Sequence, residues 1–176
     1  MKIKKIAFLI LLILLSTFLL GCTESSDNKV AKQWGDAPVF TLKTLNGKTI
    51  NITSYLGKIL ILDLMAVDCQ YCFPEMFELR DIYDNYSRAD LDIISIDVWP
   101  ETEAYLQSYV DSFYDHGYPL NWSIGLDSSH TIGPKYIGEN EGIPKIFIID
   151  KNGNIYYSKV GYTEYSVITE QLDKLI

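Results

Sequence analysis

The stretch Asp63-Leu64-Met65-Ala66-Val67-Asp68-Cys69-Gln70-Tyr71-Cys72-Phe73-Pro74-Glu75 decides how this chain is read. An apolar run, Ile59-Leu60-Ile61-Leu62, leads into it, and a helical pattern leaves it. Two cysteines separated by two residues at the start of a helix can close a disulfide with little backbone movement. The helix N-terminus also offers free N–H groups and a partial positive charge, which stabilise a thiolate there. A Cys-x-x-Cys at a strand-to-helix junction therefore reads as a redox pair. A structural staple is the weaker reading, because so short a loop constrains the unfolded chain very little.

Upstream, Lys58 to Leu64 is aliphatic on both faces, as a central strand covered on each side must be. Before it, Ala37 to Leu42 reads as a short strand, Asn46-Gly47 as a hairpin turn and Lys48 to Ile52 as a half-buried strand. Thr53 to Leu56 reads as a helical turn closed by Gly57. Downstream, Phe73, Met76, Leu79, Ile82, Tyr83 and Tyr86 share one helical face. Pro74 falls in the first turn or soon after, and would bend the helix mildly if it began near Tyr71. Leu91 to Asp97 is a second strand, and the spacing predicts a right-handed βαβ unit.

Glu101 to Tyr114 reads as an amphipathic helix burying Tyr105, Leu106, Tyr109, Val110 and Phe113. A turn at His116 to Pro119, a short strand within Leu120 to Asp127 and a short helix over Ser128 to Tyr136 complete an insert. Lys145 to Ile149 and Asn154 to Val160 form a hairpin around Asp150-Lys151-Asn152-Gly153. Thr163 to Leu175 closes the chain as a helix with Val167, Ile168, Leu172 and Leu175 inward. The expected fold is α/β: a thioredoxin-like central mixed sheet flanked by helices, with an N-terminal hairpin extension and an insert before the last hairpin.

The N-terminus carries Lys2, Lys4 and Lys5, then a nearly unbroken apolar run from Ile6 to Leu20, short for a membrane span. Leu19-Leu20-Gly21-Cys22 resembles a lipobox. Residues 1–21 are expected to be a lipoprotein-type signal peptide, Cys22 the lipidated N-terminus, 22–36 a flexible polar tether and 37–176 the folded domain. An uncleaved anchor is the alternative, and both place the domain at the extracytoplasmic face of the cell membrane. The net charge of −8 becomes −11 once the three leader lysines are removed, which excludes a nucleic-acid binder. Of three cysteines, Cys22 belongs to the lipobox, so none remains to form a disulfide besides Cys69–Cys72.

From Ala37 onward the chain resembles the TlpA/ResA-type members of the thioredoxin-like superfamily, close to the AhpC/TSA and redoxin families. The resemblance rests on Ala37-Pro38-x-Phe40-Thr41-Leu42, Asn46-Gly47-Lys48, Gly57-Lys58 and Cys69-Gln70-Tyr71-Cys72-x-x-Glu75-Met76. Gly142-Ile143-Pro144-x-x-Phe147-Ile148-Ile149-Asp150-x-x-Gly153 completes it. Three positions depart from the pattern. Asp68 and Met65 stand where tryptophans are usual, and Tyr71 stands where a proline is usual.

The resemblance implies a protein-disulfide oxidoreductase without a cofactor or metal. Cys69 is expected to be the attacking thiolate and Cys72 the resolving thiol. Pro144 is expected in cis beside the disulfide, holding Ile143 extended so that its backbone pairs with the substrate chain. Glu75 matches an acidic position near the site and is a candidate for moving a thiol proton, the alternative being a solvated first-turn glutamate. Asp63 aligns with a buried aspartate. Set among Ile61, Leu62 and Leu64 its pKa rises toward neutrality, which suits a base for Cys72; a strand-end aspartate reaching water is the alternative.

Asp68, Asp63 and Glu75 make the surroundings negative. That opposes the thiolate and predicts a potential nearer the roughly −270 mV of thioredoxin than the roughly −120 mV of DsbA. A monomeric reductant is expected, exchanging with protein thiols and disulfides and reducing the latter. The resemblance adds a membrane electron donor of the DsbD/CcdA type and apocytochrome c as one possible client.

Two other readings are weighed. A peroxiredoxin wants a threonine three residues before its attacking cysteine, where Cys69 has Ala66 and Cys72 has Cys69. A copper-binding assembly factor wants Cys-x3-Cys plus a histidine, and His116 and His130 match no ligand spacing. The sequons at Asn51, Asn85 and Asn121 matter only in a host that glycosylates exported chains.

Overall fold

The computed structural model describes residues 34–99 and 102–176. The expected signal peptide with Cys22, most of the expected tether and the first residue expected in the second helix lie outside them. The described residues belong to one compact unit.

An antiparallel hairpin opens the domain, β1 (Thr41–Lys43) with β2 (Thr49–Asn51). A 3-10 turn, Ile52–Tyr55, follows, capped by the Asn51 side chain accepting from Thr53 N–H. The central sheet runs β5-β4-β3-β6-β7. Strand β3 (Ile59–Met65) lies between β4 (Leu91–Asp97), parallel to it, and β6 (Lys145–Ile149), antiparallel. Strand β5 (Ser123–Leu126) extends the parallel side and β7 (Ile155–Val160) the antiparallel side. Helices are α1 (Cys72–Asn85), α2 (Glu103–Asp115), α3 (Gly133–Tyr136) and α4 (Tyr165–Leu172).

Every residue of β3 is buried, as its unbroken aliphatic composition requires. Alternation then sorts its side chains. Ile59, Ile61 and Met65 join one apolar cluster with Met76, Leu79 and Ile82 of α1, Leu106 and Phe113 of α2, and Ile168 and Leu172 of α4. Leu60, Leu62 and Leu64 join a second cluster with Phe40, Leu42, Ile52, Ile132 and Tyr136. The sheet thus has a three-helix face and a face covered by the hairpin and α3. Asp63, by the same alternation, points toward the three helices.

Several expectations need correction. The first strand is shorter than Ala37–Leu42 and begins at Thr41. Trp34 and Asp36, assigned to the tether, belong to the domain: Trp34 Nε1 donates to Ala37 O, and Asp36 Oδ1 accepts from Ile155 N–H. The buried stripe of α1 is Cys72, Glu75, Met76, Leu79 and Ile82. The helix starts at Cys72, which turns Phe73 outward and Glu75 inward. That start also puts Pro74 in the first turn, where an N–H has no intrahelical acceptor, so the condition for a bend is not met.

Helix α2 starts at Glu103 because the Thr102 side chain caps it, accepting from Tyr105 N–H. It buries Leu106 and Phe113 fully, while Tyr105 is exposed. Only Gly133–Tyr136 of the helix expected over Ser128–Tyr136 forms. The buried Asp127 carboxylate accepts the N–H groups of Thr131, Ile132 and Gly133, winding that segment into a loop instead.

Candidate active site

The parallel strands β3 and β4 both run toward the same edge of the sheet, and β3 delivers the chain there into Ala66 to Tyr71. Cys69 N–H donates to Ala66 O, closing a tight turn. Helix α1 then begins at Cys72, so Cys69 precedes the helix rather than opening it. Its sulfur still receives helix-end polarity, because Cys72 N–H points at Cys69 Sγ at 3.2 Å. Cys69 and Cys72 are joined by a disulfide, with Cα atoms 5.2 Å apart. The two sulfurs are not equivalent. Cys69 is 9% exposed and Cys72 1%, so an incoming thiol or disulfide meets Cys69 first.

Around them, Gln70 and Tyr71 are exposed. The Ile143–Pro144 peptide bond is cis. Ile143 packs on the apolar cluster that contains both cysteines. The loop holding it is tied down on both sides. Gly161 N–H donates to Pro144 O at 2.7 Å, and the buried Lys145 ammonium reaches Tyr136 O and Glu141.

Two buried carboxylates come from the elements that flank the disulfide, Asp63 from β3 before it and Glu75 from α1 after it. Asp63 is 1% exposed in the middle of β3, opposite Ser95 of β4. It is not a strand-end group in water. Burial pushes its carboxyl well above the ordinary range, only partly offset by a hydrogen bond from Ser95. Glu75, also 1% exposed, is not a solvated first-turn glutamate. Its Oε2 accepts Thr163 N–H at 2.6 Å. Burial raises it too, and the charge of Asp63 adds to the rise, against Thr163 and Lys159. Asp63 Oδ2 and Glu75 Oε1 are buried with no hydrogen-bond partner. Two buried anions with bare oxygens side by side would be expensive, so the pair keeps a proton at neutral pH. The negative field expected from Asp63 and Glu75 is accordingly smaller than their formal charges suggest.

Sequence reasoning did not single out three neighbours. Ser95 also accepts from Trp122 Nε1 at 2.9 Å. Thr163, fully buried, supplies the N–H to Glu75. The hydroxyl of Tyr109 on α2 is buried without a partner, and burial together with Asp63 and Asp97 raises its pKa. The signal for the β4 residues was present: Ser95 and Asp97 sit at alternate positions of a strand that is aliphatic elsewhere except at Asp92, in register with Asp63 and Met65. Nothing local marks Thr163, which reaches Glu75 from a distant turn.

Asp68, just before Cys69, is exposed and accepts a hydrogen bond from Tyr105 of α2 at 2.8 Å. His116 caps α2 and His130 lies in the Asp127 loop at φ 53°. Among the described residues, no group of three or more His, Cys, Asp or Glu side chains is placed to hold a metal ion.

A mixed five-stranded sheet, helices on its faces and a Cys-x-x-Cys disulfide where the central strand meets a helix define a thioredoxin-like thiol-disulfide oxidoreductase. Residues 35–158 match the AhpC/TSA family, and the chain belongs to that family. It is similar to the thiol-disulfide oxidoreductase ResA of a Bacillus cereus strain, with 25% identity over 181 residues and 99% of each chain covered. ResA of Geobacillus thermodenitrificans is 26% identical over 140 residues, covering 79% of this chain and 75% of that one. The crystal structure of StoA from Bacillus subtilis superposes with a TM-score of 0.64 at 22% identity, over 78% of this chain and 98% of that one. That last likeness concerns the fold.

Proposed function

We propose that this protein is a membrane-tethered reductant of protein disulfides on the extracytoplasmic face of the cell. One observation carries the reading: a solvent-reaching Cys69, polarised by Cys72 N–H, is bonded to a Cys72 closed off from water. In the reduced protein the Cys69 thiolate attacks one sulfur of a client disulfide. A mixed disulfide forms, and the first client thiolate leaves. Cys72 gives its proton to the Asp63/Glu75 pair and attacks Cys69 Sγ, expelling the second client thiolate. Two electrons pass to the client, whose two thiolates take up protons from water, the carboxyl pair returns its proton to water, and the protein is left with the Cys69–Cys72 disulfide. Ile143, held extended before Pro144, offers backbone groups for a client strand to pair with.

The tether rests on the lipobox-like Leu19-Leu20-Gly21-Cys22, which lies outside the described residues. The reducing direction rests on Asp68 beside the nucleophile, which disfavours the thiolate and so favours the disulfide form. A membrane donor of the DsbD/CcdA type would restore the dithiol, and apocytochrome c is one candidate client. In an insulin-reduction assay the wild type precipitates the insulin B chain and Cys69→Ser does not. A wild type that leaves insulin intact in the presence of dithiothreitol would overturn the proposal.

A further inference from the structure

Phe73 should be covered if α1 only served the core, yet it is 47% exposed directly after Cys72. It stands at the mouth of an aromatic cavity between α1 and α2. Phe73, Phe77, Phe113 and Tyr118 form the walls, with Ser112 and His116 at the rim, around about 200 Å³. The rings brace one another. Phe73 lies 5.4 Å from Phe77 and 5.1 Å from Phe113, and Phe77 lies 5.3 Å from Tyr118. Arg80 caps the outer face of Tyr118 at 4.8 Å. This is a preformed apolar hole, and one of its walls, Phe73, directly follows Cys72.

We infer that this cavity anchors a large apolar side chain of the client polypeptide, close in sequence to the client cysteine that attacks or is attacked. The inference rests on reading Cys69–Cys72 as the exchange site. Size excludes other occupants first. Sites for drug-sized ligands and cofactors run from about 300 to 1,000 Å³, so this one holds a single side chain. Position comes second. Strand order puts the Ile143–Pro144 loop on the β6 side of β3, while α2 follows β4 and packs beside β5. The disulfide lies between them. Phe73, exposed and one residue past Cys72, joins the cavity to the disulfide end of α1, so the cavity lies within a few residues' reach of a client cysteine bonded to Cys69. Chemistry comes third. Exposed aromatic side chains grouped around a pocket are the usual anchors of recognition, and one filled pocket carries much of the binding.

The test uses reduced wild-type protein and synthetic cysteine peptides joined as homodimeric disulfides. Each exchange oxidises the Cys69/Cys72 dithiol and releases two peptide thiols. One peptide carries only glycine and serine around the cysteine. The others place a phenylalanine or leucine at each position within four residues on either side. Rates are divided by the rate with hydroxyethyl disulfide, which is too small to reach the cavity. The expected result is a preference of tenfold or more, about 1.4 kcal/mol, for an apolar residue at one register. Ser112→Phe, or His116→Trp at the rim, fills the cavity and brings the ratio to about one. Equal rates across the peptides, or a preference that survives both filled variants, overturn the inference. Failure to exchange even with hydroxyethyl disulfide would instead overturn the exchange site itself.

Discussion

Asp63 and Glu75 cannot both carry full charge where they lie. Each is folded with its carboxyl pushed above the ordinary range, chiefly by burial. Well below the ordinary carboxylate range, at about pH 3, both are protonated in the folded and the unfolded chain, and neither costs stability. Above it the unfolded chain loses both protons, while the folded chain holds them to higher pH and still keeps one of them at neutrality. Stability therefore falls as pH rises from the ordinary carboxylate range toward the raised values, by at most about 1.4 kcal/mol per pH unit for each proton held. Urea unfolding of the oxidised protein should show a declining midpoint between pH 5 and pH 8, and Glu75→Gln should flatten the decline. A slope unchanged by Glu75→Gln would mean that Glu75 is ionised in the fold.

Asp68 gives a second residue-scale prediction, of opposite electrical sense. Removing its charge in Asp68→Asn lowers the Cys69 thiol pKa and makes the potential less negative. An exposed charge is worth little, so the shift is on the order of 10 mV, read against a glutathione buffer. A more negative potential in the variant would remove the electrostatic argument for the reducing direction. At this scale the sequence was informative about Cys69, Cys72 and Asp63, because each sits in a pattern of its own. Whether Glu75 faced water or core turned on where α1 begins, and a shift of one or two residues in a helix start is beyond periodicity.

Among the elements, β3 was legible to within a residue, since burial on both faces leaves only an aliphatic run. The segment Ser128–Tyr136 was not. A short helix was expected there despite Gly133-Pro134, but the Asp127 carboxylate outcompetes the helix for three backbone N–H groups. Side-chain competition of that kind is set in three dimensions, as is the aromatic packing that draws Phe73 to α2. The hairpin after β6 fixes how the Ile143–Pro144 loop is held, and Gly153 is its tightest point. It has φ 85°, and a Cβ there would come within 2.5 Å of the Trp34 ring. Gly153→Ala should cost about 1–3 kcal/mol, measured by urea denaturation. A stability equal to the wild type would show that Trp34 does not pack as described.

The whole molecule is an acidic domain, −8 over the full chain, with its reactive edge where the parallel strands end. The hairpin and α3 cover one face of the sheet and three helices the other, leaving Cys69 at the margin between the interior and water. Fold class and reactive edge were both legible in the Cys-x-x-Cys context and in the order of elements. The floor of the site was not, because Thr163, Ser95 and Tyr109 come from three separate elements.

The account depends on one asymmetry, an accessible Cys69 and a sequestered Cys72. Mass spectrometry of trapped adducts with a disulfide client tests it directly. Cys72→Ala should accumulate one client molecule per chain, bonded to Cys69 and released by dithiothreitol, while Cys69→Ala accumulates none. Equal trapping by both variants, or trapping by Cys69→Ala alone, would contradict it.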